Sequence, residues 1–141
     1  MVPRKVWMRG PHIGGKPVPA AVQLDTKQRI LEHAAKFYAG RYTRIDVRFR
    51  GVFCYIDAYC EPDPPTHGLL DVFGETEEQY YKRLRAVPIH LCRMRYFGDQ
   101  ESWSVAFYTY SNERYEESFF AHGGPYGTPE DALAIGAVYL Q

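Results

Sequence analysis

A change in the spacing of hydrophobic residues, from a helical period to a strand period, most constrains the fold of this chain. In DTKQRILEHAAKFYAG, apolar residues recur at helical spacing, which predicts a helix that Asp25 or Thr26 caps and Gly40 ends. In TRIDVRFRGVFCYIDAYC, which follows closely, apolar and polar residues alternate around Gly51. That alternation predicts a hairpin of two strands with one buried face.

The second half of the chain predicts two more helices and three more strands. Thr76 to Gln79 match a capping box, and the helix that it opens should stop before Pro88. Three strand patterns follow, IHLCRMRYF, SWSVAFYTY and YEESFF, and turn-forming residues separate them. Thr128 and Pro129 then begin a last helix. The order α-β-β-α-β-β-β-α predicts an α+β domain with a single antiparallel sheet of about five strands and helices on one face.

Length and composition fit one folded domain preceded by a basic arm. The chain has 141 residues, of which 45% are hydrophobic and 16% aromatic, enough to bury a core. Residues 1–20 are rich in proline, glycine and basic residues, which predicts an extended arm, and residues 21–141 form the single α+β domain. Alternatively, the first residues pack Val6, Trp7 and Met8 on the body of the domain.

Charge is sorted along the chain although the net charge is +0. Residues 1–50 carry 11 Lys and Arg against 3 Asp and Glu, whereas residues 51–141 carry 6 against 14. Such an asymmetry indicates an anionic partner for the basic part, nucleic acid first and a membrane surface second.

The first strand of the hairpin is the best candidate for contact with nucleic acid. Arg44, Arg48 and Arg50 share one face at intervals of about 7 Å per alternate residue, close to the phosphate spacing of an extended single strand. Tyr55 and Tyr59 on the returning strand can lie beside them and stack on bases. With the arm included, the predicted nucleic-acid-binding residues are Arg4, Lys5, Arg9, Arg44, Arg48, Arg50, Tyr55 and Tyr59.

The same strand also permits a purely structural interpretation. Arg48 and Arg50 can pair across the hairpin with Asp57, while Asp46 neutralises the same face. Alternating charges on a solvated sheet face are common in proteins that bind no nucleic acid.

A second arginine pair, Arg93 and Arg95, lies on the third strand, where alternation leaves two possibilities. Either both arginines point inward and line a polar pocket with Glu or Asp partners, or Cys92, Met94 and Tyr96 form the core face. We favour the second possibility because an unpaired buried arginine is energetically costly.

Metal binding and catalysis have weak sequence support. Cys60, His67, His90 and Cys92 match no zinc signature, although strand alternation places His90 and Cys92 on one face. The serines lack a strand-to-helix nucleophile elbow, and adjacent glutamates diverge on a regular element. We therefore predict no metal and no cofactor, and an unassigned hydrolase or nuclease is only a distant alternative.

Cysteine usage favours a reducing compartment. The chain has three cysteines, and Cys54 and Cys60 lie too far apart on one extended strand for a disulfide. The N-terminal segment has no apolar run like that of a signal peptide, and no stretch approaches the length of a membrane span. These features predict a cytoplasmic protein with no membrane partner.

The acidic remainder of the chain suggests an alternative function. It could fold against the basic segment, or it could form a surface that mimics nucleic acid or binds a basic protein. The placement of six glutamates discriminates between a contiguous acidic surface and a neutral shell: Glu75, Glu77, Glu78, Glu113, Glu116 and Glu117.

Three segments, FRGVFCYIDAYCEP, LCRMRYFGDQESWSVAFYTYSNERYEESFF and GTPEDALAIGAVYL, resemble a group of uncharacterised bacterial hypothetical proteins. The resemblance covers roughly residues 40–141. It implies the same small α+β fold and carries no activity.

The sequence therefore predicts a small, non-enzymatic binding protein that associates with nucleic acid or a nucleoprotein assembly through an arginine and aromatic strand face and a basic arm. The alternative is a protein-interaction module, such as an inhibitor or accessory subunit, that uses its aromatic and acidic surface.

Overall fold

A computed structural model describes residues 10–66 and 68–140 of the chain. The elements in chain order are α1 Ala20–Phe37, β1 Arg44–Arg50, β2 Phe53–Tyr59, α2 Leu69–Phe73, α3 Glu77–Arg85, β3 Ile89–Arg95, β4 Ser104–Thr109, β5 Arg114–Ser118, α4 Pro129–Gly136 and a 3-10 turn Ala137–Leu140.

The five strands form one antiparallel meander in the order β1-β2-β3-β4-β5. This confirms the predicted α+β class with a single antiparallel sheet. The register between β2 and β3 shifts once, because Ile56 lies opposite Cys92 whereas its neighbour Asp57 lies opposite His90. Leu91 is thus the extra residue of a β-bulge, and the alternation of side chains along β3 is interrupted there.

The core lies between one face of the sheet and the helices α1 and α4. Ile30 and Ala34 of α1 and Leu133 of α4 are fully buried there. From the sheet, the buried side chains include Ile45, Cys54, Ile56, Ala58, Leu91, Cys92, Met94 and Val105. Cys92 and Met94 thus face the core, together with Tyr96, as favoured from the sequence, and Leu91 joins them because of the bulge.

Helix α1 begins earlier than the sequence predicted. Its first residue is Ala20, and Pro19 is the extended residue that precedes the first turn (φ −63°, ψ 153°). The prediction that Asp25 or Thr26 caps this helix is wrong, because both lie inside it and the Thr26 side chain is buried under the helix. Two good helix formers, Ala20 and Ala21, extend the helix toward the proline.

The other helix caps follow the sequence patterns. The Thr76 hydroxyl accepts from the Gln79 amide at 3.1 Å, and the Gln79 side chain accepts from the Thr76 amide at 2.9 Å, which completes the predicted capping box. At α4, the Thr128 hydroxyl accepts from the Asp131 amide at 3.1 Å. The short helix α2 was not predicted, because its five residues are too few to show a helical period.

The segment that precedes α1 lies along the sheet. Lys16 donates its amide to the Tyr96 carbonyl at 2.8 Å, and Val18 donates to the Gly51 carbonyl at 3.1 Å. Residues 1–9 lie outside the described part of the chain, so the division into an arm and a domain at residue 20 stays a prediction.

The three cysteines are free thiols, with Cys54 and Cys92 buried in the core and Cys60 half-buried. Across residues 10–66 and 68–140, no helix is both long and apolar enough to cross a membrane.

Candidate nucleic-acid interface

The face of the sheet that points away from α1 and α4, which we call the open face, combines arginine and aromatic side chains. Directly opposed residues of neighbouring strands share a face, so the register defines its members. They are Arg44, Asp46, Arg48, Arg50, Phe53, Tyr55, Asp57, Tyr59, His90, Arg93, Arg95, Ser104, Ala106, Tyr108, Tyr115 and Glu117. Within the described residues, the helices that contact the sheet pack on its other face.

The structure brings the predicted residues of the hairpin together. Arg44 lies 4.0 Å from the centre of the Tyr59 ring, and Arg48 lies 5.1 Å from the centre of the Tyr55 ring. These cation–π pairs follow from the hairpin register, which sets each arginine directly opposite its tyrosine.

Two of the three β1 arginines also have carboxylate partners. Arg44 Nε lies 3.0 Å from Asp46 Oδ1, and an Arg48 guanidinium nitrogen lies 3.0 Å from Asp57 Oδ2. Arg50 is exposed, and no carboxylate of the described residues lies within 4.0 Å of it. The structural alternative from the sequence is therefore correct for Arg48, whereas Arg50 does not pair with Asp57.

The predicted contact residues Arg4, Lys5 and Arg9 of the basic arm lie outside the described residues.

Arg93 and Arg95 on β3 are the functional candidates that the sequence did not single out. Both guanidinium groups lie over the Phe53 ring, at 4.3 Å and 4.7 Å from its centre, and Arg93 also lies 5.2 Å from the centre of the Tyr115 ring. No carboxylate within the described ranges approaches either guanidinium to 4.0 Å. Arg93 and Arg95 thus both lie on the Phe53 ring, and neither has a carboxylate partner among the described residues.

The electrostatics of this pair are unfavourable in the absence of a ligand. Burial, and then the neighbouring Arg93 charge, hold the pKa of Arg95 below its usual range, with Glu117 acting in the opposite direction. Arg95 remains charged at any physiological pH, because an arginine pKa stays far above neutrality. Its one side-chain hydrogen bond in the described chain goes to the Gly14 carbonyl at 2.8 Å. A bound anion would therefore relieve the repulsion between the two arginines.

His12 adds a third group that can carry positive charge at the same corner. It lines a small cleft with Phe53, Arg93 and Arg95. Burial lowers the pKa of His12, and the two arginines add to that shift against Glu117. The N-terminal segment therefore reaches the open face at this corner.

Asp57 and His90 form a second feature of the open face. The Asp57 carboxylate is buried, with 4% of the residue exposed, and its Oδ1 lies 2.8 Å from His90 Nδ1. Its other oxygen accepts from Arg48, so the buried charge has two partners. The His90 ring meets the Tyr108 ring edge to face at 4.7 Å.

This arrangement corrects the prediction that His90 and Cys92 share one face of their strand. His90 pairs with Asp57 on the open face, whereas Cys92 pairs with Ile56 in the core. The bulge at Leu91 places the two residues on opposite sides, and a bulge leaves no signal in a pattern of alternation.

Tyr115 lies at the centre of the open face. Its ring contacts the rings of Tyr55, Tyr108 and His90, with centre-to-centre distances of 5.6, 5.1 and 6.3 Å. Its hydroxyl is buried and has no hydrogen-bond partner among the described residues. Burial, and next the charge of Asp57, raise the pKa of Tyr115 well above its ordinary value. The phenol is therefore neutral at physiological pH.

The acidic residues that define the alternative function are spread over several elements. Glu75 pairs with Arg83 beside α3, and Glu116 pairs with Arg114 on β5. Glu77 and Glu78 occupy the first turn of α3, where the helix dipole favours negative charge. Glutamates that lie among arginines in this way are typical of a surface with no net charge and do not form one contiguous acidic surface.

A groove of about 630 Å³ lies between α3, the connection that follows β2, and the C-terminal turn. Its Cys60 thiol donates to the Arg41 carbonyl at 3.3 Å, and burial raises the pKa of that thiol. Its Glu61 carboxylate pairs with Arg85. Neither group is activated as a nucleophile or base.

No group of three or more His, Cys, Asp or Glu side chains in the described part of the chain converges on a point that could hold a metal ion.

Comparison of the chain with protein-family models, with curated proteins and with solved structures finds no match. The resemblance to uncharacterised bacterial proteins therefore stays a prediction.

Proposed function

We propose that this protein binds single-stranded nucleic acid, alone or within a nucleoprotein assembly, across the open face of its sheet. The observation that carries the proposal is the Arg93–Arg95 pair, stacked on Phe53 with no carboxylate partner among the described residues. Guanidinium groups with no carboxylate partner keep their donors available for an anion, and a phosphate group is such an anion.

The spacing of the arginines supports a phosphate backbone as the ligand. Arg93 and Arg95 are alternate residues of one strand, about 7 Å apart, which is similar to the phosphate spacing of an extended single strand. Arg50 lies directly opposite Phe53, which itself lies opposite Arg95, so a third unpaired arginine continues the same row across the sheet.

The aromatic side chains support a single strand over a duplex. Phe53, Tyr55 and Tyr115 lie among the arginines, and unstacked bases can stack on such rings. In a duplex the bases are stacked on one another and leave only their edges accessible in the grooves. A sheet face with arginines around aromatic rings therefore suits splayed bases.

The structure changes which arginines are the better candidates for contact with nucleic acid. Arg48 pairs with the buried Asp57, and Arg44 pairs with Asp46. Both arginines therefore have a structural role besides any contact with a ligand. Arg50, Arg93 and Arg95 have no carboxylate partner among the described residues. Arg4, Lys5 and Arg9 lie outside the described residues, so their contribution stays a prediction.

The test is equilibrium binding of labelled single-stranded RNA, single-stranded DNA and duplex DNA over a series of salt concentrations. We expect single strands to bind more tightly than the duplex, with affinity that falls with salt at a slope of about −0.7 per phosphate contacted. The double substitution Arg93→Gln with Arg95→Gln should weaken binding about 10- to 100-fold and flatten the slope by about 1.4.

The matched control is Lys27→Gln with Lys36→Gln, which removes two positive charges from exposed positions of α1 on the other side of the sheet. It should leave affinity and slope nearly unchanged. Equal losses in both double variants would show that only net charge matters. Absence of binding by the unaltered protein at low salt would reject the proposal and favour a protein partner.

A further inference from the structure

We propose that His90 is a general base that cleaves single-stranded RNA bound on the open face, with Asp57 as the residue that positions it. The inference rests on the proposed function, since it requires an RNA strand beside Arg93. It adds a reaction and a substrate class to a surface otherwise assigned to binding alone.

The first support is the fixed geometry of the imidazole. Asp57 Oδ1 lies 2.8 Å from His90 Nδ1, and Arg48 holds the other carboxylate oxygen at 3.0 Å. An ionised carboxylate only accepts hydrogen bonds, so Nδ1 is the donor to it, and in the neutral imidazole Nε2 then carries the lone pair. The buried carboxylate thus selects the tautomer in which the other nitrogen is basic.

The second support is access. The His90 side chain is 31% exposed, whereas that of Asp57 is only 6% exposed. Solvent can therefore reach the imidazole of this pair, while the carboxylate is buried. The groups that face His90 come from each neighbouring strand: Asp57 of β2 with Arg48 of β1 behind it, Tyr108 of β4, Tyr110 beyond β4 and Tyr115 of β5. Asp57 and Arg48 are the acidic and the basic side chain in this set.

The third support is that the cation beside the base has no carboxylate partner among the described residues. His90 and Arg93 flank the same Tyr115 ring, at 6.3 Å and 5.2 Å from its centre. The bulge at Leu91 is the reason that residues 90 and 93, three apart in sequence, both face outward. A phosphate bound to Arg93 would therefore lie beside the same aromatic ring that His90 flanks.

The reaction is an internal transfer of the phosphodiester. His90 Nε2 takes the proton of a ribose 2′-hydroxyl, and the 2′-oxygen forms a bond to the adjacent phosphorus. The bond from phosphorus to the 5′-oxygen breaks, and that oxygen leaves with the electron pair and takes a proton from water. The products are a 2′,3′-cyclic phosphate and a free 5′-hydroxyl, and the imidazolium returns its proton to the hydroxide that remains. Arg93 would neutralise the charge that develops on the phosphoryl oxygens.

The experiment uses a 5′-labelled single-stranded RNA and the same sequence with 2′-O-methyl riboses, in buffer that contains a chelator. The full-length protein should cleave the RNA to fragments that end in a cyclic phosphate, detected by mass spectrometry, and should bind but not cleave the methylated strand. His90→Gln should lower the cleavage rate at least about 100-fold and change the affinity for the methylated strand less than about 2-fold.

Two further variants separate catalysis from structure. His33→Gln, on α1 at the helical side of the sheet, is the matched control and should cleave like the unaltered protein. Asp57→Asn should lower kcat with little change in KM, because a positioning residue acts on the base and leaves RNA binding intact. A variant that only loosened the fold would instead alter binding of the methylated strand.

Binding of both strands without cleavage by the unaltered protein would overturn the inference and leave the proposed function standing. Cleavage by His90→Gln at the unaltered rate would overturn it too, since another group or a contaminant would then be responsible. If neither strand binds, the proposed function and this inference fall together.

Discussion

At the scale of single residues, Arg29 makes the strongest ionic link between distant parts of the chain. From α1 it donates to both oxygens of Glu101, at 2.7 and 3.1 Å, and to both oxygens of Glu130, at 2.7 and 2.9 Å. Bidentate hydrogen bonds between a guanidinium group and a carboxylate fix the orientation of both groups and also pair their charges. Arg29 therefore ties α1 to the first turn of α4.

Glu130→Gln should destabilise the fold at neutral pH and have little effect in acid. Burial alone would raise the pKa of Glu130, but the hydrogen bonds from the Arg29 guanidinium and from the backbone, together with the Arg29 charge, outweigh burial and hold that pKa below its ordinary value of 4.5. A carboxyl group whose pKa is lowered by folding contributes stability above the unfolded pKa, and that stability is lost as the pH falls through the folded pKa. We expect a loss of about 1 kcal/mol in urea unfolding at pH 7, because the pair is partly exposed to solvent.

The control for this prediction is Asp131→Asn, which alters the neighbouring first-turn carboxylate of α4. Asp131 has no arginine partner in the described part of the chain, so its substitution should cost less than about 0.5 kcal/mol. An effect of Glu130→Gln that persisted unchanged well below pH 4 would contradict the assignment to this ion pair.

Of the side-chain contacts on the open face, the sequence predicted one and missed two others. The Arg48–Asp57 pair could be predicted, because hairpin register follows from the turn at Gly51. The Arg93–Phe53 contact could not, because β2 and β3 are separated by a long connection that leaves their register undetermined. The Asp57–His90 pair, which also joins β2 to β3, could not be predicted for the same reason.

At the scale of elements, a glycine sets how closely α4 approaches the sheet. A Cβ atom at Gly136 would lie 2.6 Å from the Leu91 carbonyl oxygen and 2.7 Å from the Leu91 Cβ atom. Real contacts of this kind are longer, so the helix can rest on the bulged strand only with no side chain at this position. The bulge that directs His90 outward is thus packed from behind by α4.

Gly136→Ala should destabilise the protein although alanine is the better helix former. Overlap with Leu91 costs about 1–3 kcal/mol, more than the gain of up to about 1 kcal/mol in helix propensity. We expect the Tm to fall by about 5 °C in thermal unfolding monitored by circular dichroism. Ala134→Ser, at an exposed position of the same helix, should shift the Tm much less. An unchanged or raised Tm for Gly136→Ala would show that α4 can move away from β3 at no cost.

Except for the short helix α2, the element types were predictable from the sequence, whereas the start of α1 was not. Helical and strand periods predicted the meander and the helices α1, α3 and α4. The start of α1 was misplaced because a proline can stand before the first turn, where its missing amide costs nothing.

At the scale of the whole molecule, the fold neutralises part of the charge asymmetry of the sequence. Arg29 and Arg48 from the basic segment pair with Glu101, Glu130 and Asp57 from the acidic remainder. What remains on the open face is a positive cluster of Arg50, Arg93 and Arg95, opposed by Glu117. The asymmetry therefore has an internal component, and the arginines left over are the ones that point to an anionic ligand.

The most direct measurement follows backbone amide chemical shifts of the labelled protein during titration with a short single-stranded RNA whose 2′-oxygens are methylated. Shifts should concentrate on the strands around Phe53, Arg93 and Tyr115 and spare the exposed side of α1. Shifts confined to α1 and α4, or spectra that do not change at low salt, would contradict the assignment of the open face as a nucleic-acid interface.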